Sequence, residues 1–359
     1  MHIKKLTLQN YRNYENEVLN FKSGINILVG DNAQGKTNSA EAIFYLCTGY
    51  SPRATRDKQV IKYGQKFAKI NGVCESLYGD VEVEIEFTPS SKNVSLNGVP
   101  LKKIGELMGN INSVFFNPGE LKLIQESPED RRRFMDISLS QMDRSYFYAL
   151  QKYRKILEQR NSLIKNPDTE IVYETLPHWD KELAVYALEI INKRKFFINS
   201  LIPHAKSVHS YVTGGENLEL SLETPYFDGE SVDDLLVAYE QKIEKDIILG
   251  YTTVGPHRDD IKIKLNGEDV RVYGSQGQQR SIAISLKLAE AKVFKERFNE
   301  YPIVILDDAL SELDVKRRSR LIDVLTEFQT IITLTDLTSE LVAKEDINVI
   351  KIKNGKVEN

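Results

Sequence analysis

The sequence predicts an α/β protein in which a mixed sheet carries a phosphate-binding loop and its helix, with an antiparallel β-subdomain beside it and an inserted, mainly helical lobe. Three observations predict this. Residues 25–37 read I-N-I-L-V-G-D-N-A-Q-G-K-T, a buried-strand signal that runs straight into the pattern G-x-x-x-x-G-K-[ST]. Residues 68–96 alternate apolar and polar side chains, as strands with one wet face do. Between residues 142 and 201 the apolar period lengthens to that of amphipathic helices.

Composition narrows the class. At 359 residues the chain is long for one small core and suggests two lobes. With 41% hydrophobic and 28% charged residues it reads as an ordinary globular protein. The net charge of -4 repels nucleic acid on average, so any contact with DNA needs a local basic patch. Two cysteines, Cys47 and Cys74, are too few for a disulfide framework, and no C-x-x-C is present to hold zinc. No run of 18 apolar residues and no signal-peptide pattern occurs, so the expectation is a cytoplasmic protein with no membrane partner.

Taken in order, residues 3–8 alternate as a strand and give way to Asn10-Tyr11-Arg12-Asn13-Tyr14. Arg12 is close enough in sequence to the next strand to reach a bound phosphate; an exposed arginine on a turn is the competing reading. In the loop, Gly30 and Gly35 let the backbone turn tightly with its N–H groups inward, and Asp31, Asn32, Ala33 and Gln34 occupy the free positions. Lys36 brings charge for the outer phosphates, and Thr37 offers a hydroxyl to magnesium. A nucleoside triphosphate is the implied ligand. It would sit at the N-terminus of a helix over residues 36–47, with Asn38 in the first turn, where free N–H groups and the helix dipole favour anions. Ser51-Pro52-Arg53-Ala54-Thr55-Arg56-Asp57 follows, a polar loop whose two arginines suit nucleotide or DNA.

In the alternating stretch, Asn97-Gly98 supplies a hairpin turn, and Glu82, Glu84 and Glu86 read as the solvated face rather than a metal site. Residues 111–116 form another buried strand. Ser127-Pro128-Glu129-Asp130 then starts a helix, with the serine as its cap. Tyr146, Leu150, Tyr153 and Leu157 share one helix face; Leu183, Tyr186, Ile190, Phe197 and Leu201 share a second. Asn166-Pro167-Asp168 separates them, and Pro203 is expected to end the second helix. The exposed side of this hairpin is expected to carry Arg144, Lys152, Arg154, Lys155, Arg160, Lys193, Arg194 and Lys195. Such a face either follows a phosphate backbone or is an ordinary solvated surface, diluted by Glu158 and Glu182. Residues 213–237 read as loop.

Gly255-Pro256-His257-Arg258-Asp259-Asp260 is a polar cluster leading into strands over residues 261–265 and 270–273, joined by Asn266-Gly267. His257 has no second histidine nearby, so a metal role is not expected. Ser275, Gly277 and Gln278 open a long helix whose inward residues are Ile282, Leu286, Ala289, Val293 and Phe294, and this helix start is a second anion site. Residues 303–308, I-V-I-L-D-D, form an apolar strand ending in two carboxylates. Asp307 suits a magnesium held through water, and Asp308 suits orienting or deprotonating the attacking water. With Lys36 these are the candidate catalytic residues, and Thr37 and Asp307 the candidate magnesium ligands. Ser311-Glu312-Leu313-Asp314 follows, and residues 330–334 end at Thr335-Asp336, near where a residue would sense the γ-phosphate.

These stretches, in this order, resemble the ATPase heads of the ABC superfamily: a Walker A loop, a signature loop (S-Q-G-Q for S-G-G-Q), a Walker B strand and a D-loop (S-E-L-D). Within it, N-Y-R-N-Y at 10–14, S-P-R-A-T-R-D at 51–57, S-P-E-D-R-R-R-F-M-D at 127–136, G-P-H-R-D-D at 255–260, G-S-Q-G-Q-Q-R at 274–280 and L-D-D-A-L-S-E-L-D at 306–314 resemble the RecF family, relatives of the SMC heads.

The resemblance implies an ABC/SMC-type ATPase head of residues 1–122 and 246–359, with residues 123–245 inserted as a helical lobe. It implies ATP and Mg2+ as cofactors and an ATP-dependent homodimer in which the signature loop of one subunit completes the phosphate site of the other. It further implies binding to DNA at single-strand/double-strand junctions and gapped duplex, recombinase loading with RecO and RecR, replication restart and SOS induction. Two departures stand out from the wider superfamily. Asp308 replaces the usual glutamate, and the switch histidine is absent, with Thr335 near its place; both suit slow turnover and a timed switch. The alternative is the ATPase subunit of an ABC transporter, against which stand the long interval from Lys36 to Ser275, the helical insertion and the missing histidine.

Overall fold

A computed structural model describes residues 1–166, 168–225, 227–311, 313–337, 341 and 347–358. Strands β1 (His2–Gln9) and β2 (Asn16–Asn20) pair across the N-Y-R-N-Y turn, and β3 (Ile25–Val29) runs into the phosphate loop and helix α1 (Lys36–Thr48). The alternating stretch gives β4 (Ala68–Ser76), β5 (Gly79–Phe87), β6 (Lys92–Leu96) and β7 (Val99–Pro100), which complete an antiparallel sheet of order β2-β1-β4-β5-β6-β7. Asn97 and Gly98 both take the positive φ that a two-residue hairpin needs, and Glu82, Glu84 and Glu86 lie on the wetter face.

Strand β8 (Ser113–Phe116) is followed by α2 (Lys122–Gln125), α3 (Pro128–Met142), α4 (Arg144–Ile164) and α5 (Thr169–Thr213). Next come β9 (Leu218–Glu223), α6 (Val232–Leu249), β10 (Asp260–Leu265), β11 (Glu268–Asp269), α7 (Val270–Tyr273) and α8 (Gln276–Phe298). The chain then returns through β12 (Ile303–Asp307), α9 (Val315–Leu325), β13 (Thr330–Leu334), β14 (Ile347–Lys353) and β15 (Lys356–Glu358).

Runs that are apolar without alternation must be covered on both faces, as β3, β8, β12 and β13 are; with β14, which alternates, they form one parallel sheet of order β15-β14-β3-β13-β12-β8, with β15 antiparallel at the edge. Ile27, Phe116, Leu306 and Ile332 point into a core shared with α3, α4, α5 and α8. Leu28, Phe115, Ile305 and Ile331 point the other way, onto α1 and the antiparallel sheet. Each such side chain contributes on the order of 1.5–3 kcal/mol by leaving water.

Several expectations are corrected here. Helix α5 does not end at Pro203 but continues through it to Thr213. An internal proline costs about 3 kcal/mol, and here it is offset by buried side chains on both sides of it, Phe197, Leu201, Ala205 and Val208, in the core where α5 packs on α8. Residues 213–237 are not mostly loop: β9 pairs along the whole of β10, and α6 starts at a reciprocal Ser231–Asp234 capping box. Residues 270–273 form a helical turn rather than a strand, with Asp269 accepting from the N–H of Arg271. Ser127 does precede α3, but its side chain makes no capping bond. Pro167 of the expected N-P-D break lies outside the described residues, while Asp168 caps α5.

The expected basic face also changes. Arg160 and Arg194 are buried rather than exposed. Arg160 bonds Asp180 (2.5 Å) and Asp246 (2.8 Å); Arg194 bonds Asp136 (2.7 Å) and Asp259 (2.8 Å). A guanidinium inside a protein is tolerated only where carboxylates return what hydration is lost, and each here has two. Lys193 is tied to Asp143 and Glu189. His257 packs among these groups, its Nδ1 2.6 Å from the Tyr153 hydroxyl and its Nε2 2.8 Å from the Thr252 carbonyl. Among the described residues, no helix is long and apolar enough to cross a membrane.

Candidate nucleotide site

The phosphate loop lies at the C-terminal edge of the parallel sheet, where ligands of such sheets bind. Its glycines are dictated by space and dihedral. A Cβ on Gly30 (φ 155) would stand 2.2 Å from the carbonyl oxygen of Ile352, and one on Gly35 (φ 124) would stand 2.9 Å from the Asn13 amide. The loop is braced from outside: the N–H groups of Gly355 and Asn354, in the β14–β15 turn, donate to the carbonyl (2.9 Å) and side chain (2.5 Å) of Gln34. Asn13 donates to the same carbonyl and accepts from Asn38, and the Tyr14 hydroxyl donates to the Gly35 carbonyl.

Inside the loop, Lys36 Nζ lies back across the mouth and donates to the carbonyls of Gly30 (2.6 Å) and Asp31 (2.7 Å). Burial lowers its pKa, while the nearby Asp307 and Asp308 act to raise it. An incoming anion would replace those carbonyls as the ammonium's partner and favour its charged form.

Opposite, Asp307 Oδ1 accepts from the hydroxyls of Thr37 (2.8 Å) and Thr333 (2.6 Å). The parallel register of β12 on β13 sets Asp307 beside Thr333, and burial raises the Asp307 pKa against the pull of both hydroxyls. Asp308 has φ 52, in the left-handed region a non-glycine residue enters at a cost of about 1–3 kcal/mol. It is held there by its N–H bond to Thr333 Oγ1 (3.1 Å) and by Arg280 Nη2, which donates to its carbonyl (2.6 Å). Its carboxylate is exposed on the wall of a cleft of about 610 Å³.

The cleft gathers Asn32, Ala33, Gln34, Gly35, Lys36, Thr37, Asn38, Asp307, Asp308 and Thr335, while Gly30 and Asp31 take part through their carbonyls. Arg12 stands off it: its guanidinium forks onto buried Glu41 at 2.8 and 3.2 Å. Arg53 takes a wall instead, donating to Asn38 Oδ1 (3.2 Å). Ser275, Gly277 and Gln278 are not in this cleft. Ser275 and Gln278 cap the start of α8 reciprocally, and Ser275 is exposed. Glu312 of the D-loop lies outside the described residues.

Sequence reasoning missed Asn13, Thr333 and Arg280 as parts of the site. Asn13 and Arg280 left a trace, the first inside N-Y-R-N-Y and the second two residues beyond the S-Q-G-Q run. Thr37 and Asp307 are both oxygen donors of the kind a hard cation takes. Among the described residues no group of three or more His, Cys, Asp or Glu gathers, so magnesium here would rest on these two and on ligand phosphates.

A parallel sheet with a phosphate loop, an acidic strand end beside it and the long helix α8 opened by a reciprocal Ser275–Gln278 cap is the fold of an ATPase head of the SMC type. The family model described as RecF/RecN/SMC N terminal domain matches residues 2–358. An Smc head bound to the C-winged helix domain of ScpA, 18% identical with a TM-score of 0.61 over 100% of this chain and 96% of that one, shares the fold. Much closer are the DNA replication and repair proteins RecF of Ruminiclostridium cellulolyticum, 42% identical over 94% of this chain and 93% of its own, and of Clostridium acetobutylicum, 39% identical over 99% of each. Solved structures of the recombination mediator protein RecF in the RecFOR pathway, with ATPrS and with ATP, are 32% identical over 99% of this chain and 97% of theirs, at TM-scores of 0.89 and 0.87. The chain belongs to the RecF family of DNA replication and repair proteins. With that, the transporter alternative falls away.

Proposed function

We propose that the cleft binds ATP with magnesium and that two copies close over the nucleotides, each supplying its Ser275-Gly277-Gln278 loop to the other's phosphates. The observation that carries this reading is the convergence of Lys36 Nζ, Thr37 Oγ1 and Asp307 Oδ1 at the N-terminus of α1, while the second anion loop lies outside that cleft. Magnesium, when bound, would draw charge from the phosphates through Thr37 and Asp307. Lys36 holds the outer phosphates, and Gly30 to Asn38 wrap the chain of phosphates with backbone N–H groups. Asp308 orients water and takes its proton on a carboxylate oxygen; its side chain is one methylene shorter than the usual glutamate, which suits slow hydrolysis acting as a switch. Arg12, held by Glu41, would reach a phosphate only by leaving that partner.

In this reading residues 1–122 and 246–359 are the head and 123–245 an inserted lobe; the exit of the chain from the parallel sheet after β8 supports the first boundary, while β10 pairs with β9 across the second and the sheet is rejoined only at β12. The protein acts in the cytoplasm on gapped duplex and single-strand/double-strand junctions, with RecO and RecR, in recombinase loading, replication restart and SOS induction.

The test is sizing by light scattering. A dimer is expected with ATP, magnesium and gapped duplex, and a monomer without nucleotide; Lys36→Met should stay monomeric and bind no ATP. A lone subunit at saturating ATP with DNA present overturns the reading.

A further inference from the structure

The sequence leaves the basic face of the helical hairpin open between a phosphate-backbone surface and an ordinary solvated one, and the structure removes two of its arginines, Arg160 and Arg194, into ion pairs. Another basic surface stands in the loop between α1 and β4. Residues 53–66 hold Arg53, Arg56, Lys58, Lys62 and Lys66 against a single acid, Asp57, in a chain whose net charge is -4. That acid is already engaged by Lys92 (3.0 Å) and the Tyr45 hydroxyl.

Among the described residues, the side chains of Arg56, Lys58 and Lys66 have no hydrogen-bond or ion-pair partner, and all three are exposed. A cluster of like charges without counter-charges costs free energy through mutual repulsion, so a loop that retains it is poised for an external polyanion. Beside the cations, the Tyr63 ring is fully exposed, at 101%.

The loop is not a loose tether. Arg12 N–H donates to the Val60 carbonyl (2.7 Å), Lys62 N–H donates to the Asn10 carbonyl (2.8 Å), and Val60 is wholly buried. These bonds fasten it to the N-Y-R-N-Y turn, so the cations are presented from a fixed frame. Next to it, Arg56, Lys58 and Lys92 share a hollow of about 360 Å³ with Thr88, Ser90 and Ser91, and with Asp57, whose charge Lys92 already offsets. Guanidinium, ammonium and hydroxyl groups around one depression are the donor set that phosphodiester oxygens accept from.

We infer that this surface, Arg56, Lys58, Lys62 and Lys66 with the Thr88–Ser91 turn, is where the sugar-phosphate backbone of DNA docks. The inference rests on the DNA-binding reading above and adds to it a location. The same loop reaches the nucleotide cleft through Arg53, so the docked DNA lies beside the ATP site.

The experiment measures binding of fluorescent gapped duplex, plain duplex and single strand to the full chain with ATP and magnesium, across a salt series. Arg56→Ala/Lys58→Ala/Lys66→Ala should weaken binding to the gapped duplex roughly 10- to 1,000-fold and lower the slope of log affinity on log salt by about 3, one unit per lost phosphate contact. ATP binding and ATP-driven dimerisation should be unchanged, since none of the three lines the cleft. The plain substrates tell which strand geometry supplies the phosphates: the arm that loses the salt slope identifies it. Lys152→Ala/Lys155→Ala, on the exposed face of α4, should bind as the parent does. Parent-like affinity and slope in the triple variant, with loss in the α4 variant, moves the DNA to the helical lobe and overturns the location while the DNA-binding reading stands. If the parent itself binds no DNA in a salt-dependent way, both fall.

Discussion

At the scale of single residues, the site is made of groups whose neighbours set their charge and aim. Asp308 is kept in an unfavourable backbone region by Thr333 and Arg280, so its carboxylate is exposed on the cleft wall while Asp307 turns inward to two threonines. Asp308→Asn should therefore bind ATP and dimerise as before but hydrolyse ATP 10²- to 10⁴-fold more slowly in single-turnover assays, the usual loss when a general base is removed. His257 makes a different residue-scale prediction. Its Nε2–H donates to the Thr252 carbonyl, so Nδ1 accepts from Tyr153, and burial pushes its pKa from 6.5 down to about 4. The unfolded chain thus binds a proton that the folded one refuses between pH 6.5 and about 4. Stability should be full above that window and fall by up to about 3 kcal/mol as pH drops through it. Urea midpoints at several pH values read this out, and His257→Gln should flatten the curve. Lys36, Thr37 and Asp307 were legible in the sequence because motif spacing fixes them relative to one strand and one helix. Thr333 and Asn13 were not, because only the register of β13 and the fold of the first turn bring them there.

At the scale of elements, the hairpin of β14 and β15 braces the phosphate loop through Gln34 without lining the cleft. Gly355 occupies its turn at φ 69, and a Cβ there would come 2.6 Å from the Asn13 carbonyl oxygen. Gly355→Ala should shift the turn, loosen Gln34 and weaken ATP affinity roughly tenfold, consistent with about 1–3 kcal/mol of backbone strain. An unchanged affinity by calorimetry would remove the hairpin from the site. Strands and helices with strong period were legible: β3, β12, α1 and α8 lie where the residue pattern puts them. The misreadings differ in cause. Pro203 carries a strong local stop signal that packing against α8 overrides, whereas residues 218–223, L-E-L-S-L-E, alternate as a half-buried strand does, a signal present in the sequence that the loop reading passed over.

At the scale of the whole molecule, the phosphate loop and the Ser275–Gln278 start of α8 belong to one chain yet do not share a cleft. Arg280, in the first turns of α8, donates to the Asp308 carbonyl and so links that helix start to the acidic strand end. Ser275→Arg should leave ATP binding by the single subunit intact while preventing the nucleotide-driven dimer; a normal dimer in that variant, seen by scattering, would refute the shared site. One arrangement has a temporal consequence. β3, near the start of the chain, is flanked in the sheet by β13 and β14, more than 300 residues later. On the ribosome, the loop that follows β3 must therefore wait until strands more than 300 residues downstream have emerged. A chain halted before β13 leaves β3 without either of its sheet neighbours, and the loop without the frame that aims it.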